Sequence, residues 1–226
     1  MTLDPLRAKA FILENTAVAA PPHVPEIRLH VASEAHDIWL KTEAELEALG
    51  LPPPFWAFAW AGGQGLARYV LDHPEAVAGR AVVDFATGSG LVAIAALRAG
   101  AARVAAADVD PFAATALRLN AALNLAPEAA SERLDFVGDD LVGGPVEADI
   151  LLAGDVFYDR AMAAALIPWF DRLAAAGVEI LLGDPGRAYL PRPHLVHRAE
   201  YRVAVSRALE DQEIKRVDVW GWRRPA

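Results

Sequence analysis

The sequence predicts an α/β protein built on a doubly wound, Rossmann-like sheet, and three observations predict it. From residue 80 onward, short apolar runs alternate with Ala/Leu-rich segments of helical length, as a parallel sheet with helical crossovers requires. The first of these runs, Ala81-Val-Val-Asp-Phe85, turns through Gly88 and Gly90 into a helix-forming segment, which makes a ligand-binding corner. The chain closes on two long strand-like runs, 194–206 and 214–222, separated by Glu210-Asp211-Gln212, and these read as an antiparallel hairpin. Five parallel runs and the hairpin together make a seven-stranded sheet.

The elements follow in order. Residues 3–14 read as a short helix, Pro21, Pro22 and Pro25 as a linker, and 27–31 as an alternating strand. A helix over 38–49 ends at Gly50, so residues 1–50 form an N-terminal extension on a domain of residues 51–226. Pro52, Pro53 and Pro54 stiffen the entry to that domain, and Phe55, Trp56, Phe58 and Trp60 follow at once. Such a cluster serves either as a hydrophobic plug or as the wall of a slot for a cation or a long side chain. A helix over 64–73 leads to the first strand, 81–85. Its helix runs from about Gly90 to Ala99 and stops at Gly100. Strand two is 103–107. Asp110 and Pro111 open the next helix, which carries Leu117, Asn120 and Asn124. Strands at 134–137, 149–153 and 178–182 follow, the last two flanking a helix that starts near Arg160, bends at Pro168 and stops at Gly177.

Composition removes several function classes. The net charge is −9 and no block of Lys or Arg interrupts it, which argues against a nucleic-acid partner. With no cysteine there is no disulfide, thiolate metal site or thiol nucleophile. The six histidines are scattered, and His194 and His197 fall on opposite faces of a predicted strand, so no metal site is expected. No apolar run approaches the ~18 residues of a membrane span. The N-terminus lacks a signal-peptide core and carries Asp4 and Glu14, so a cytoplasmic protein is expected.

The acids mark the site. In a doubly wound sheet ligands bind at the carboxyl ends of the strands. Asp84, Asp108, Asp139, Asp140, Asp155 and Asp184 all fall on that edge, whereas Asp110 and Asp159 fit the ordinary role of helix caps. Asp84 ends its strand four residues before Gly88 and would repel a pyrophosphate. It would hold a ligand bearing an ammonium and a sulfonium, which is S-adenosylmethionine. Gly88 and Gly90 let the backbone approach that ligand. Asp108 is placed to take the ribose hydroxyls and Asp139 the adenine amino group. The alternative is a nicotinamide cofactor. Gly88-Ser-Gly-Leu-Val-Ala93 matches G-x-G-x-x-A, with Asp108 about 20 residues on, but Asp84 opposes that reading.

A resemblance sharpens this. Asp84-Phe-Ala-Thr-Gly-Ser-Gly90 resembles the first motif of the class I, seven-β-strand methyltransferases, with Ala86 where a glycine is more usual. Asp155-Val-Phe-Tyr158 looks like the D-x-x-Y motif of the protein-lysine methyltransferases of that superfamily and lacks the prolines of adenine and glutamine methyltransferases. Together with 54–63 and Gly183-Asp-Pro-Gly-Arg-Ala-Tyr-Leu-Pro191, it resembles the electron-transfer flavoprotein β-subunit lysine methyltransferases. The resemblance implies transfer of methyl groups from S-adenosylmethionine to lysines of that subunit. Other methyl acceptors, a ribosomal protein or a small amine, stay open, and so does a fold relic without chemistry. It also implies the site: Trp60, Asp84, Ala86, Gly88, Gly90, Asp108 and Asp139 for the cofactor, and Asp155 to capture and align the acceptor amine. Tyr158 and Phe157 would flank the acceptor channel, with Trp56 or Trp60 opposite.

Overall fold

The computed structural model of the protein describes residues 4–32, 53–205 and 213–223. The helix expected over 38–49 and the turn expected at 210–212 lie outside the described residues. Helix α1 (Pro5–Asn15) is capped by Asp4, whose side chain accepts from the Leu6 amide, and Pro5 needs no partner for its missing N–H. Strand β1 (Ala17–Ala19), which the periodicity does not reveal, pairs antiparallel with β2 (Leu29–Val31) in a small separate sheet. Helix α2 (Ala61–Asp72) leads to β3 (Ala81–Phe85), α3 (Leu91–Arg98) and β4 (Arg103–Ala107). Helix α4 (Ala113–Asn124), a short α5 (Pro127–Arg133) absent from the sequence reading, and β5 (Leu134–Val137) follow. Then come β6 (Ile150–Gly154), α6 (Arg160–Ala175), β7 (Glu179–Asp184), β8 (Leu195–Ala204) and β9 (Ile214–Trp222).

The large sheet has the order β5-β4-β3-β6-β7-β9-β8, with β9 antiparallel to both of its neighbours and the other contacts parallel. From β3 the chain first builds outward through β4 and β5, then returns to build through β6 and β7. The switch point therefore lies between β3 and β6, where a doubly wound sheet opens its ligand crevice. The terminal hairpin is present, with its second strand inserted between β7 and β8.

The central strands are apolar along most of their length because both faces are covered, the exceptions being Asp84 in β3 and Glu179 and Asp184 at the ends of β7. Consecutive residues alternate between two cores: Val82, Ile150, Leu152 and Leu181 lie in one, and Val83, Leu151, Ala153 and Leu182 in the other. Helices α2 and α3 cover the first face with Leu66, Val70 and Ile94, and α6 covers the second with Leu166, Trp169 and Phe170. Helix α6 carries Pro168 within it; the missing N–H leaves the carbonyl of Ala164 without its helical donor, on an exposed turn that water reaches. A third, smaller core joins the N-terminal segment to the site: Ala8 and Ile12 meet Trp56, Phe58 and Phe112. Two asparagines of α4 take the place of a neighbouring strand for β2. Asn120 Oδ1 accepts from His30 N at 2.7 Å and Asn124 Oδ1 from Arg28 N at 2.8 Å. No helix among the described residues is long and apolar enough to cross a membrane.

Candidate active site

Two corners of the sheet meet at the switch point. At the end of β3, Asp84 is almost fully buried. Its Oδ2 accepts from Thr87 Oγ1 at 2.5 Å and from Ala93 N at 2.9 Å, so the carboxylate closes the turn and fastens it to α3. The turn carries positive φ at Ala86 (55°), Gly88 (51°) and Gly90 (81°). Glycine adopts that region freely; at Ala86 the same conformation costs about 1 kcal/mol. Asn120 Nδ2 donates to Ser89 O at 2.7 Å, so the side chain that holds β2 also holds this turn.

Asp108 stands at the end of β4. Its Oδ2 accepts from Gly88 N at 2.8 Å and its Oδ1 from Asp110 N at 2.9 Å. Burial pushes the Asp84 carboxyl up to about 7, with the charge of Asp108 adding to the effect and the bonds from Thr87 and Ala93 opposing it. Burial likewise raises Asp108, and raises Asp110 to about 6. A cluster of acids held above their ordinary range is relieved by an incoming cation.

Two recesses open on either side of this turn and share Ala86. One, of about 280 Å³, is walled by Ala86, Asp108, Val109, Asp139, Leu141 and Met162. Apolar walls with carboxylates at the rim suit a purine nucleoside. The other is lined by Trp60, Gly63, Asp84, Gly88, Gly154 and Asp155, and its acids suit the ammonium and sulfonium end of S-adenosylmethionine. The residues present thus fit that cofactor. They place six of the expected cofactor residues, Trp60, Asp84, Ala86, Gly88, Asp108 and Asp139, around two adjoining recesses, while Gly90 sets the end of the turn.

The second corner, after β6, is assembled from distant parts of the chain. Asp155 has φ 58°, which turns its carboxylate out of the strand direction, and its amide continues the sheet by donating to Gly183 O at 2.9 Å. Oδ2 accepts from Gly63 N at 2.9 Å, and Oδ1 accepts from Arg187 Nε at 3.0 Å and Nη2 at 2.6 Å. The first turn of α2 reaches Asp155 because Gly62, Gly154 and Gly183 let three backbones touch. A Cβ on Gly62 would overlap the carbonyl oxygen of Gly183, and one on Gly154 would lie 2.8 Å from Gly63 Cα. The α2 backbone thus packs directly on Gly154, which also lines the recess beside Asp84. The following helix, α6, is capped by Asp159 as expected and not by Asp155: Asp159 Oδ1 accepts from Met162 N at 2.8 Å.

Two expected acceptor-channel residues lie elsewhere. Trp56 is 1% exposed and its ring stacks on Phe112 in the third core, with centroids 5.5 Å apart. Phe157 is 0% exposed and stacks on Trp222 behind the sheet. Both are large apolar rings with more to gain inside than at a wet rim. Phe55, 48% exposed, and Tyr158, 49% exposed, instead pair at the surface, with ring centroids 5.8 Å apart. His194 also moves, to a 3₁₀ turn ahead of β8. No group of metal-ligating side chains forms among the described residues. Arg187, Gly63 and Phe55 escaped the sequence reading as site residues, although Arg187 lies inside the 183–191 motif and Gly63 and Phe55 inside the aromatic–glycine motif.

Residues 69–154 match the family model of ribosomal protein L11 methyltransferase (PrmA). Over 95% of its length the chain is 38% identical to the electron transfer flavoprotein beta subunit lysine methyltransferase of Xenopus laevis, covering 86% of that protein. It is 34% identical to the human protein of that name, over 98% of this chain and 84% of the relative. Among solved structures, a Thermoplasma acidophilum protein (TM-score 0.55, 19% identity) aligns with 73% of this chain and 90% of its own. A putative RNA methyltransferase from Pyrococcus horikoshii (TM-score 0.55, 15% identity) aligns with 77% and 90% respectively. These two show a shared fold.

Proposed function

Because the chain belongs to the electron transfer flavoprotein β subunit lysine methyltransferase family, we propose that it methylates lysine side chains of that subunit, with S-adenosylmethionine as donor. One observation carries the reading: Asp155 lines the same recess as Asp84 and Gly88, so a carboxylate suited to an acceptor amine faces the place suited to the donor's cation. A nicotinamide cofactor finds no comparable support, since Asp84 occupies the turn where a pyrophosphate would lie. Residues 1–50 act in this reading as an extension serving the 51–226 domain, in a cytoplasmic protein.

When bound, the cofactor supplies an electrophilic methyl group on sulfur. The chain's own part is to bind, orient and exclude water. Asp84, Asp108 and Asp139 hold the donor through its charge and its nucleoside. Asp155 receives the acceptor ammonium, and Trp60 gives it an aromatic face. A lysine must lose its proton before its nitrogen can attack, and its ordinary pKa is about 10.4. The neighbouring sulfonium and the apolar walls favour the neutral amine, whereas Asp155 favours the charged one, so Asp155 serves capture and alignment.

The test incubates the chain with labelled S-adenosylmethionine and recombinant electron transfer flavoprotein β subunit, followed by mass mapping of the modified residues. Label on lysines of that subunit is expected, with a single-turnover rate that climbs from pH 6 to about 9. Ribosomal protein L11 belongs in the same assay, because residues 69–154 match the family model named for it. Label on that protein alone would overturn the assignment of the acceptor.

A further inference from the structure

The carboxylate assigned to the acceptor amine already holds a cation of this chain. Besides its two contacts with Asp155, the Arg187 guanidinium lies over the Trp60 ring, 5.9 Å from its centre. A carboxylate on one side and an aromatic face on the other are what a lysine ammonium would meet there. The arginine is aimed at this point by its backbone. Asp184 Oδ1 accepts from the amides of Gly186 at 2.6 Å and Arg187 at 2.7 Å, and Gly186 has φ 89°. Tyr189 N fastens the far side of the turn to Phe157 O at 3.1 Å. The turn is anchored, while the side chain itself is one-fifth exposed (21%), so a change of its own rotamer would move the guanidinium without unbuilding the turn.

We propose that Arg187 is an internal stand-in for the acceptor: its guanidinium fills the ammonium subsite of Asp155 and Trp60 until a substrate lysine displaces it. The inference rests on the lysine-methylation reading. Its logic is electrostatic. A buried carboxylate stays ionised only with a partner, and a cation of the chain keeps Asp155 charged and oriented between turnovers. Arginine suits the task and lysine does not. A guanidinium stays protonated at working pH and offers no lone pair to the methyl donor, whereas an amine at the same point would consume it.

That difference supplies the test. In Arg187→Lys, incubated with S-adenosylmethionine and no other protein, the introduced ammonium loses its proton to water. Its nitrogen lone pair then forms the N–C bond while the C–S bond breaks, and the bonding pair passes to sulfur, leaving a neutral thioether. Intact-mass and peptide mapping should show one or more methyl groups at position 187, absent from the wild type and from Arg187→Lys combined with Asp155→Asn. A second readout needs no cofactor. Calorimetric binding of the flavoprotein β subunit should tighten about tenfold in Arg187→Ala and in Arg187→Gln, as for a subsite open about one-tenth of the time in the parent. Circular dichroism and cofactor affinity on the same preparations verify the fold.

Absence of methylation at position 187 overturns the inference. So does unchanged or weaker binding of the β subunit by the folded Arg187→Ala and Arg187→Gln variants when the wild type binds it. If the wild type neither binds nor labels the β subunit while Arg187→Lys methylates itself, the acceptor assignment has failed and the inference stands.

Discussion

Asp84 and Asp155 end adjacent central strands at one sheet edge, yet they are held in opposite ways. Asp84 is satisfied by its own corner, through Thr87 and Ala93, three and nine residues away. Asp155 is satisfied by Gly63 and Arg187, 92 and 32 residues away. The first corner is a local turn whose geometry travels with its sequence. The second exists only once α2, β6 and the 183–191 turn have packed together. A ligand site written into one turn can stay constant while the far-reaching corner is fitted to the acceptor, so cofactor and substrate recognition are separable by mutation.

The strongest test of that separation is removal of the long-range carboxylate. Asp155→Ala should lower turnover on protein by two orders of magnitude or more while cofactor affinity stays near native, because alignment is lost and donor contacts are not. Turnover, calorimetric affinity and thermal midpoint on one preparation check it; normal turnover per folded molecule would sink the role. Next comes the backbone contact that builds the second corner. Gly62→Ala places a methyl group against Gly183 O and should destabilise the chain by roughly 1–3 kcal/mol, read as a drop in denaturant midpoint. An unchanged midpoint would mean the three backbones separate at no cost.

Asp84 supplies a pH test of the local corner. Its folded pKa of about 7 lies above the ordinary 3.8. Its contribution to stability is therefore present at pH 4 and lost as pH rises through 7, so the cofactor-free chain should lose thermal stability over that window. The donor's ammonium prefers the ionised carboxylate, so cofactor affinity should rise about tenfold between pH 6 and 8 and then level off. Asp84→Asn should flatten that profile, and a profile that survives the substitution assigns the titration to another group. The smallest effect belongs to Ala86. Relieving its φ of 55° by Ala86→Gly should change stability by only about 1 kcal/mol, upward if the strain outweighs the added freedom of the unfolded chain. A large loss in the denaturant midpoint would show that its Cβ packs where none is seen to.

Much was legible in advance because it depends on neighbours along the chain. The strands at 81–85, 103–107 and 134–137 lie where the apolar runs place them, the first buried along most of its length and the last an edge strand with no fully buried residue. The short β1 and α5 were not legible. A three-residue strand of alternating Ala and Val has too little period to register, and the Glu- and Ser-bearing Pro127–Arg133 buries no residue that would stamp a helical pattern.

By itself, then, the sequence determined the doubly wound class of the sheet, the glycine turn after Asp84 and the acids along one edge. These follow from hydrophobic period, from residues that tolerate positive φ, and from the strand ends those two define. Only the tertiary structure decided which aromatic rings stay exposed and what Asp155 holds. The positive φ of Asp155 ends the strand's alternation, with Phe157 inward and Tyr158 at the surface beyond it, and no periodicity argument carries across such a residue. The partnership of Asp155 with Gly63 and Arg187 is decided by the close approach of three glycine-bearing backbones, a matter of packing between segments that the chain holds far apart.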